Sequence, residues 1–286
     1  MNLKSNAFRF DEIESLTLSQ KSWIQAIVQQ FKLPHTFTRN EESDLVTETV
    51  LQNVGDLLRI HHTTSRRSLS KAPFEYAFEK ALQLSGKSAK LADSATNPGY
   101  DLTIGSVRIS LKTEAAKNIS EIKIHVSKWM EMGKGIWDPI NIQLPRFLEH
   151  MMGYDRILTL RCLKQTGTDY QYELVEIPKT LMLEAATGIM ECASTSTQET
   201  KPWYCRVPDV EANAKALAAY NAKDKKPKNP PKNIYKLSLY FDAGTERKLQ
   251  IKGLLKSHCI VHATWRFNSV QLAAPTEDAD EEDLSS

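Results

Sequence analysis

The sequence contains no apolar run near the roughly 18 residues that a membrane-crossing helix needs, so no span is expected. Its first residues, MNLKSNAFRFDEIESL, lack the apolar core of a secretory signal. Cysteine is scarce. The four residues, at positions 162, 192, 205 and 259, form no CxxC pair and no zinc-ligand spacing. A disulfide scaffold and a zinc module are thereby excluded, and buried free thiols in a reducing cytosol are the expected state.

What is present is an ordinary globular composition, 41% hydrophobic and 25% charged over 286 residues. That length suffices for a sizeable core, as one large domain or one with a small lobe. A net charge of +2 conceals an asymmetry, because residues 275–286, PTEDADEEDLSS, hold six acids and no base. Without them 37 bases face 29 acids. The body is basic, as binding to a nucleic acid requires, and the tail is expected to be disordered and solvated. A linker at 221–233, NAKDKKPKNPPKN, carries five lysines and three prolines and reads as extended and mobile. Its lysines would give affinity for phosphates without sequence choice; an exposed loop is the plainer reading.

Periodicity supplies a coarse map. Helices are expected over 10–31, ended by Pro34, over 43–60, opened by Ser43, and over 73–84, where Pro73 suits a first turn. In the third, Phe74, Ala77, Phe78 and Leu82 form the buried face, with Glu75 beside it and Glu79 in solvent. Alternation marks strands at 122–126, 157–162 and 170–177, with Ser127 capping a helix-like SKWMEM. A short helix follows at 181–186, then a hairpin of 235–241 with 247–251, and a last strand at 259–267. Strands alternating with helices predict an α/β core with a central mixed sheet flanked by helices.

Residues 97–120, NPGYDLTIGSVRISLKTEAAKNIS, carry the chemistry. Gly105-Ser106 joins two runs rich in β-branched residues, which is the pattern of a β-hairpin. Ser110, Lys112 and Glu114 then share one face of the second strand, and Ile109 and Leu111 the other. Asp101 lies at the outer end of the partner strand and reaches the same cleft. Two carboxylates suit a hard cation such as Mg²⁺, which activates a water for phosphodiester attack. The lysine stabilises the charge that develops on phosphorus. Against this stands a surface hairpin with an exposed Lys–Glu pair, since the spacing is common by chance.

The stretch resembles the active-site hairpin of the PD-(D/E)xK nuclease superfamily, and more closely the SmaI-like type II restriction endonucleases. The likeness extends in one order through IHVSKWMEMGKG (124–135), RFLEH (146–150), YDRILTLR (154–161), YELVEIPK (172–179), LYFDAGTERKLQIKGL (239–254) and HCIVHATW (258–265). It is weak in the first 60 residues, in 183–235 and in the tail. The resemblance implies a PD-(D/E)xK restriction-endonuclease-like core and Mg²⁺-dependent double-strand cleavage of DNA. It further implies blunt cuts at the palindrome CCCGGG, a homodimer matching that symmetry, and a cognate DNA methyltransferase as functional partner. A bacterial cytoplasmic, nucleoid-associated location follows from the same likeness.

One departure stands out. The superfamily places an acid two residues before its lysine, and here that position is Ser110. The second metal carboxylate beside Asp101 must come from Glu114, Glu75 or, more weakly, Glu121. A DNA-binding relative with little or no nuclease activity is the competing outcome. Lys123, His125, Lys128, Arg247 and Lys248 are the expected DNA contacts, with Arg66-Arg67 as a further phosphate-binding pair; His258 and His262 read as a facing polar pair on a strand, without metal. The expected organisation is an N-terminal helical region (1–72), a nuclease core (73–182), a C-terminal part completing the domain (183–270) and the acidic tail (271–286).

Overall fold

A computed structural model describes residues 13–93, 99–223 and 227–270. The acidic tail, and the disorder expected of it, lie outside the described residues.

The first long helices among the described residues are α1 (Leu18–Lys32), α2 (Glu48–Thr64) and α3 (Lys71–Leu84). Thr17 caps α1 through a capping box and Thr47 caps α2, so that helix begins at Thr47 rather than at Ser43. Between α1 and α2 runs the strand β1 (His35–Arg39). After α3 come β2 (Ala89–Leu91), β3 (Leu102–Ile104), β4 (Val107–Glu114) and β5 (Lys123–Glu131). The SKWMEM segment expected to be helical is the second half of β5. A short α4 (Leu144–His150) leads into β6 (Arg156–Thr166) and β7 (Asp169–Glu176). Then follow α5 (Lys179–Leu183), β8 (Ile189–Cys192), β9 (Trp203–Pro208), α6 (Val210–Asn221), β10 (Tyr235–Asp242), β11 (Lys248–Leu255) and β12 (Ile260–Asn268).

The strands form two sheets. Seven lie in the order β1-β12-β7-β6-β4-β3-β2, and only β4 with β6 is parallel, so this sheet is mixed as expected. The other five, β5-β11-β10-β9-β8, form an antiparallel sheet that periodicity did not foretell. Alternation along β6 explains how the layers stack. Leu158, Leu160 and Cys162 face the helices, where they share a core with Val50, Leu51, Val54, Leu58, Phe74 and Phe78. Ile157 faces the other way and joins Val175, Ile124, Val126, Leu239, Phe241 and Ile251 in a second core, between the sheets. The seven-stranded sheet is thus covered by helices on one face and by the smaller sheet on the other.

Several polar groups tie the layers together. Trp265 of β12 donates its indole N–H to the Leu51 carbonyl at 2.8 Å. Arg59, almost fully buried, donates to the Gln30 carbonyl at 2.5 Å and so fixes α2 to the end of α1. All four cysteines are free thiols; Cys162 and Cys205 are buried as expected, whereas Cys192 is exposed. No helix among the described residues is long and apolar enough to cross a membrane.

His62 sits in the helix-side core, 2.8 Å from the Tyr172 hydroxyl and 2.9 Å from the Ser65 carbonyl. Burial holds it down to about 4 from the ordinary 6.5, against the Ser65 carbonyl, which favours the charged form. As pH falls below 6.5 the unfolded chain takes up this proton first, so stability present above 6.5 drains away toward pH 4. Urea unfolding at pH 7 and pH 5 should show a loss of up to ~1.4 kcal/mol per pH unit from this group. The loss should be smaller in His62→Gln.

Candidate active site

Asp101 immediately precedes β3, and its main chain is held on two sides. Its N–H donates to the Ile109 carbonyl and its own carbonyl accepts from the Ala92 N–H, both at 2.9 Å. Carboxylate Oδ2 accepts the Leu111 N–H at 2.6 Å and the Ser110 hydroxyl at 3.3 Å. Carboxylate Oδ1 accepts the Lys71 ammonium at 2.8 Å. Lys71 begins α3, and Glu75, one turn later, lies 3.2 Å from the same ammonium. A carboxylate from the sheet and another from the helix therefore converge on one cation.

Lys112 completes the group. Its ammonium donates to Ser110 Oγ at 3.0 Å and lies 5.5 Å from the centre of the Trp129 ring on β5. Only 7% of the residue is exposed. Burial brings its pKa down to about 8; Asp101 and Glu75 work against that fall, and Lys71 adds to it. Burial and the neighbouring Asp101 raise the Glu75 carboxyl above its ordinary range, despite Lys71. Burial pulls Lys71 down, but its pairs with Asp101 and Glu75 outweigh that and leave it raised. Ser110, where the resemblance expects an acid, donates to Asp101 and accepts from Lys112, so it links the two side chains.

Glu114 takes a different place. It is buried, with Oε2 accepting the Arg161 Nε–H at 2.6 Å and Oε1 accepting the His125 N–H at 3.1 Å. Arg161 also pairs with Glu173 and donates to the carbonyls of Ser120 and Lys123. Glu173 is joined in turn by Lys256 at 2.9 Å. Glu114 thus shares the strand face of Lys112 but belongs to an ion network two residues further on, and of the three glutamates it is Glu75 that stands beside Asp101. Glu121 is exposed. Glu79, expected in solvent, accepts the Leu91 N–H at 2.8 Å and so anchors β2.

A close backbone approach positions the Asp101 segment. A Cβ on Gly153 would lie 2.9 Å from the Gly99 Cα, and one on Gly99 would lie 3.1 Å from the Gly153 carbonyl oxygen.

The expected DNA contacts divide. Lys123 and His125 begin β5, and His125 is held below its ordinary value by burial and then by Lys252. Lys128 is exposed and paired with Glu131 at 2.6 Å, and Lys248 with Glu246 at 3.2 Å. Arg247 has a left-handed backbone (φ 38°) and donates to the Gly135 carbonyl over the Trp137 ring. Arg67 is exposed after α2. His258 and His262 do not face each other: the first pairs with Asp209 at 2.7 Å, the second with Glu176 at 2.8 Å and Ser43 at 2.8 Å. A three-residue turn lies between β11 and β12 and puts only His262 on a strand, which breaks the expected alternation.

The SmaI family, type II site-specific deoxyribonucleases, matches residues 11–267. The chain belongs to this family. It is also 44% identical over 245 residues to a protein of Serratia marcescens described as type II restriction enzyme SmaI, covering 86% of this chain and 88% of that one. The enzyme is accordingly a type II restriction endonuclease, and DNA is its substrate. The family match includes the first helices and the 183–235 stretch, where short motifs carried little of the likeness.

Among site residues, sequence reasoning missed Lys71, whose only signal was its position one turn before Glu75. Replacing Gly153 with Ala should force the two backbones apart, costing ~1–3 kcal/mol of stability in urea unfolding. The same change should slow DNA cleavage, because the displaced segment carries Asp101.

Proposed function

We propose that this enzyme makes Mg²⁺-dependent double-strand cuts in DNA through Asp101, Glu75 and Lys112, at CCCGGG with blunt ends. The observation that carries the assignment is the convergence of Asp101 and Glu75 on the Lys71 ammonium, 2.8 and 3.2 Å away. That pair of carboxylates already surrounds a cation. Mg²⁺ is commonly held by one or two carboxylates, with water and substrate phosphate completing its shell. Among the described residues no group of three or more His, Cys, Asp or Glu side chains gathers as a metal cluster; Asp101 and Glu75 are the carboxylates that would hold the ion, with water and DNA oxygens.

When bound, Mg²⁺ supplies Lewis-acid stabilisation of phosphate charge and a more acidic water. The remaining work belongs to the chain. Asp101 is aimed by the Leu111 N–H and Ser110 hydroxyl, so its free lone pairs point where Lys71 now sits. Lys112, buried and anchored on Ser110, presents positive charge where the attacked phosphate gains negative charge. A low-dielectric pocket makes that charge count for more than it would in water. Lys71, half exposed, has room to leave the carboxylates for a DNA phosphate.

CCCGGG, blunt ends and the methyltransferase partner are supported by the family relation alone. A homodimer is supported by the symmetry of a palindromic target, which asks for one site per strand.

The test is a digest of unmethylated DNA with and without Mg²⁺, with the ends sequenced; blunt ends at CCCGGG are expected only with the metal. Cuts elsewhere would remove the specificity, and metal-independent cuts would remove the metal. Asp101→Asn, Glu75→Gln and Lys112→Ala should each lower the cleavage rate by at least ~10²-fold while DNA binding persists. Glu114→Gln should instead lower stability by roughly 1.5–3 kcal/mol, the worth of a hydrogen bond to a charged group, and retain most of the activity.

A further inference from the structure

The outer face of the five-stranded sheet contributes none of Asp101, Glu75 and Lys112, yet its chemistry is uneven. Inward side chains of β9 and β10, such as Cys205, Leu237 and Leu239, are buried against the larger sheet. The intervening residues point outward, and there Lys123, Arg206, Lys232 and Lys252 line a groove of about 510 Å³. The other lining residues include Tyr204, Tyr235 and Ser238, and none is acidic. A solvated sheet face with no binding task ordinarily mixes both charge signs.

Two features prepare these cations for a polyanion. The Arg206 guanidinium lies 4.5 Å from the Tyr204 ring and 5.1 Å from that of Tyr235, and pairs with Glu191 at 2.7 Å. Lys252 lies 4.9 Å from the Tyr240 ring. Two of the four cations, Arg206 and Lys252, therefore pack against tyrosine rings. The lysine-rich linker joins the same face, since Lys232 and Asn233 form part of the groove wall. One groove residue starts the strand that meets β4. Lys123 begins β5, and two residues later the His125 N–H donates to Glu114, on the same strand face as Lys112.

We propose that this groove holds the phosphate backbone of duplex DNA outside the cleavage site, through charge and without reading bases. Lysine suits that role as a flexible point charge, and phosphate contacts position a protein without carrying sequence information. The proposal takes DNA as substrate from the family and does not depend on the assignment of the metal carboxylates.

Binding of short duplexes with and without the target sequence is measured without divalent metal across a range of salt concentrations, for the wild type and Lys232→Ala/Lys252→Ala. Each lost phosphate contact removes about 0.9 from the slope of log affinity against log salt, so the double variant should lose roughly 1.8. Affinity for both duplexes should fall by the same factor, and the cleavage rate at saturating DNA should match the wild type. The control is Lys32→Ala/Lys80→Ala, two exposed lysines on α1 and α3, in the helical layer across the larger sheet. An unchanged slope would overturn the proposal. So would an equal drop in the control, or a loss confined to the target duplex, which would mean base reading. A wild type that fails to cleave bears on the catalytic reading alone, because the binding comparison stands without it.

Discussion

Arg161 is fully buried, and the arrangement around it constrains the rest of the molecule. A guanidinium without water must be paired on nearly every donor, because a buried uncompensated charge costs several kcal/mol. Here the partners come from β4 (Glu114), from β7 (Glu173) and from the carbonyls of Ser120 and Lys123, where the chain enters β5. One side chain therefore joins two neighbours in the larger sheet to the first strand of the smaller one. The order of β4 and β5 sets the seat of Lys112, since its ammonium packs over Trp129 further along β5. Glu114 serves this network, with both carboxylate oxygens engaged.

That commitment bears on Ser110, which stands where the motif of the resemblance has an acid. With Glu114 engaged and Ser110 uncharged, the negative charge beside Asp101 comes from α3, through Glu75. An acid at position 110 would bring a third carboxylate toward Asp101 and Glu75, and Glu75 is already raised by burial and by Asp101. Ser110 avoids that repulsion and still supplies a donor to Asp101 and an acceptor for Lys112. On the proposed reading the two carboxylates come from β3's edge and from α3 rather than from one strand.

The hairpin was legible because strand alternation is a strong local rule. It put Ile109 and Leu111 toward a core and Ser110, Lys112 and Glu114 together on the opposite face, as observed. It could not say that this second face is covered too, by a sheet whose strands are distant in sequence. The second half of β5 was misread as helix for a related reason. The register of β5 with β11 shifts between Val126 and Met130, so Val126 and Trp129, three apart, are both buried and imitate helical spacing. Glu75 and Glu114 were inseparable by spacing alone; only Lys71 and Arg161, their partners in space, divide them. The turn at 256–258 leaves little mark on the sequence, so alternation alone runs His258 and His262 into one strand.

The excess positive charge that the sequence reports as a single sum is two populations in the fold. Lys71, Arg156 and Arg161 each satisfy more than one acidic or carbonyl group, and Lys128 and Lys248 each have a carboxylate within reach. The exposed pairs among these are worth little in water, so a phosphate can displace their partners at small cost. On the outer face of the smaller sheet the balance differs, for four cations share a groove with no acid in its wall and Glu191 at the side of one of them. Such a surface repels itself unless counter-ions collect there. DNA brings a denser array of charge than free ions do, and the release of its own counter-ions adds to the driving force. The paired cations hold elements of the fold together, whereas three of the four in the groove wall have no acid beside them there.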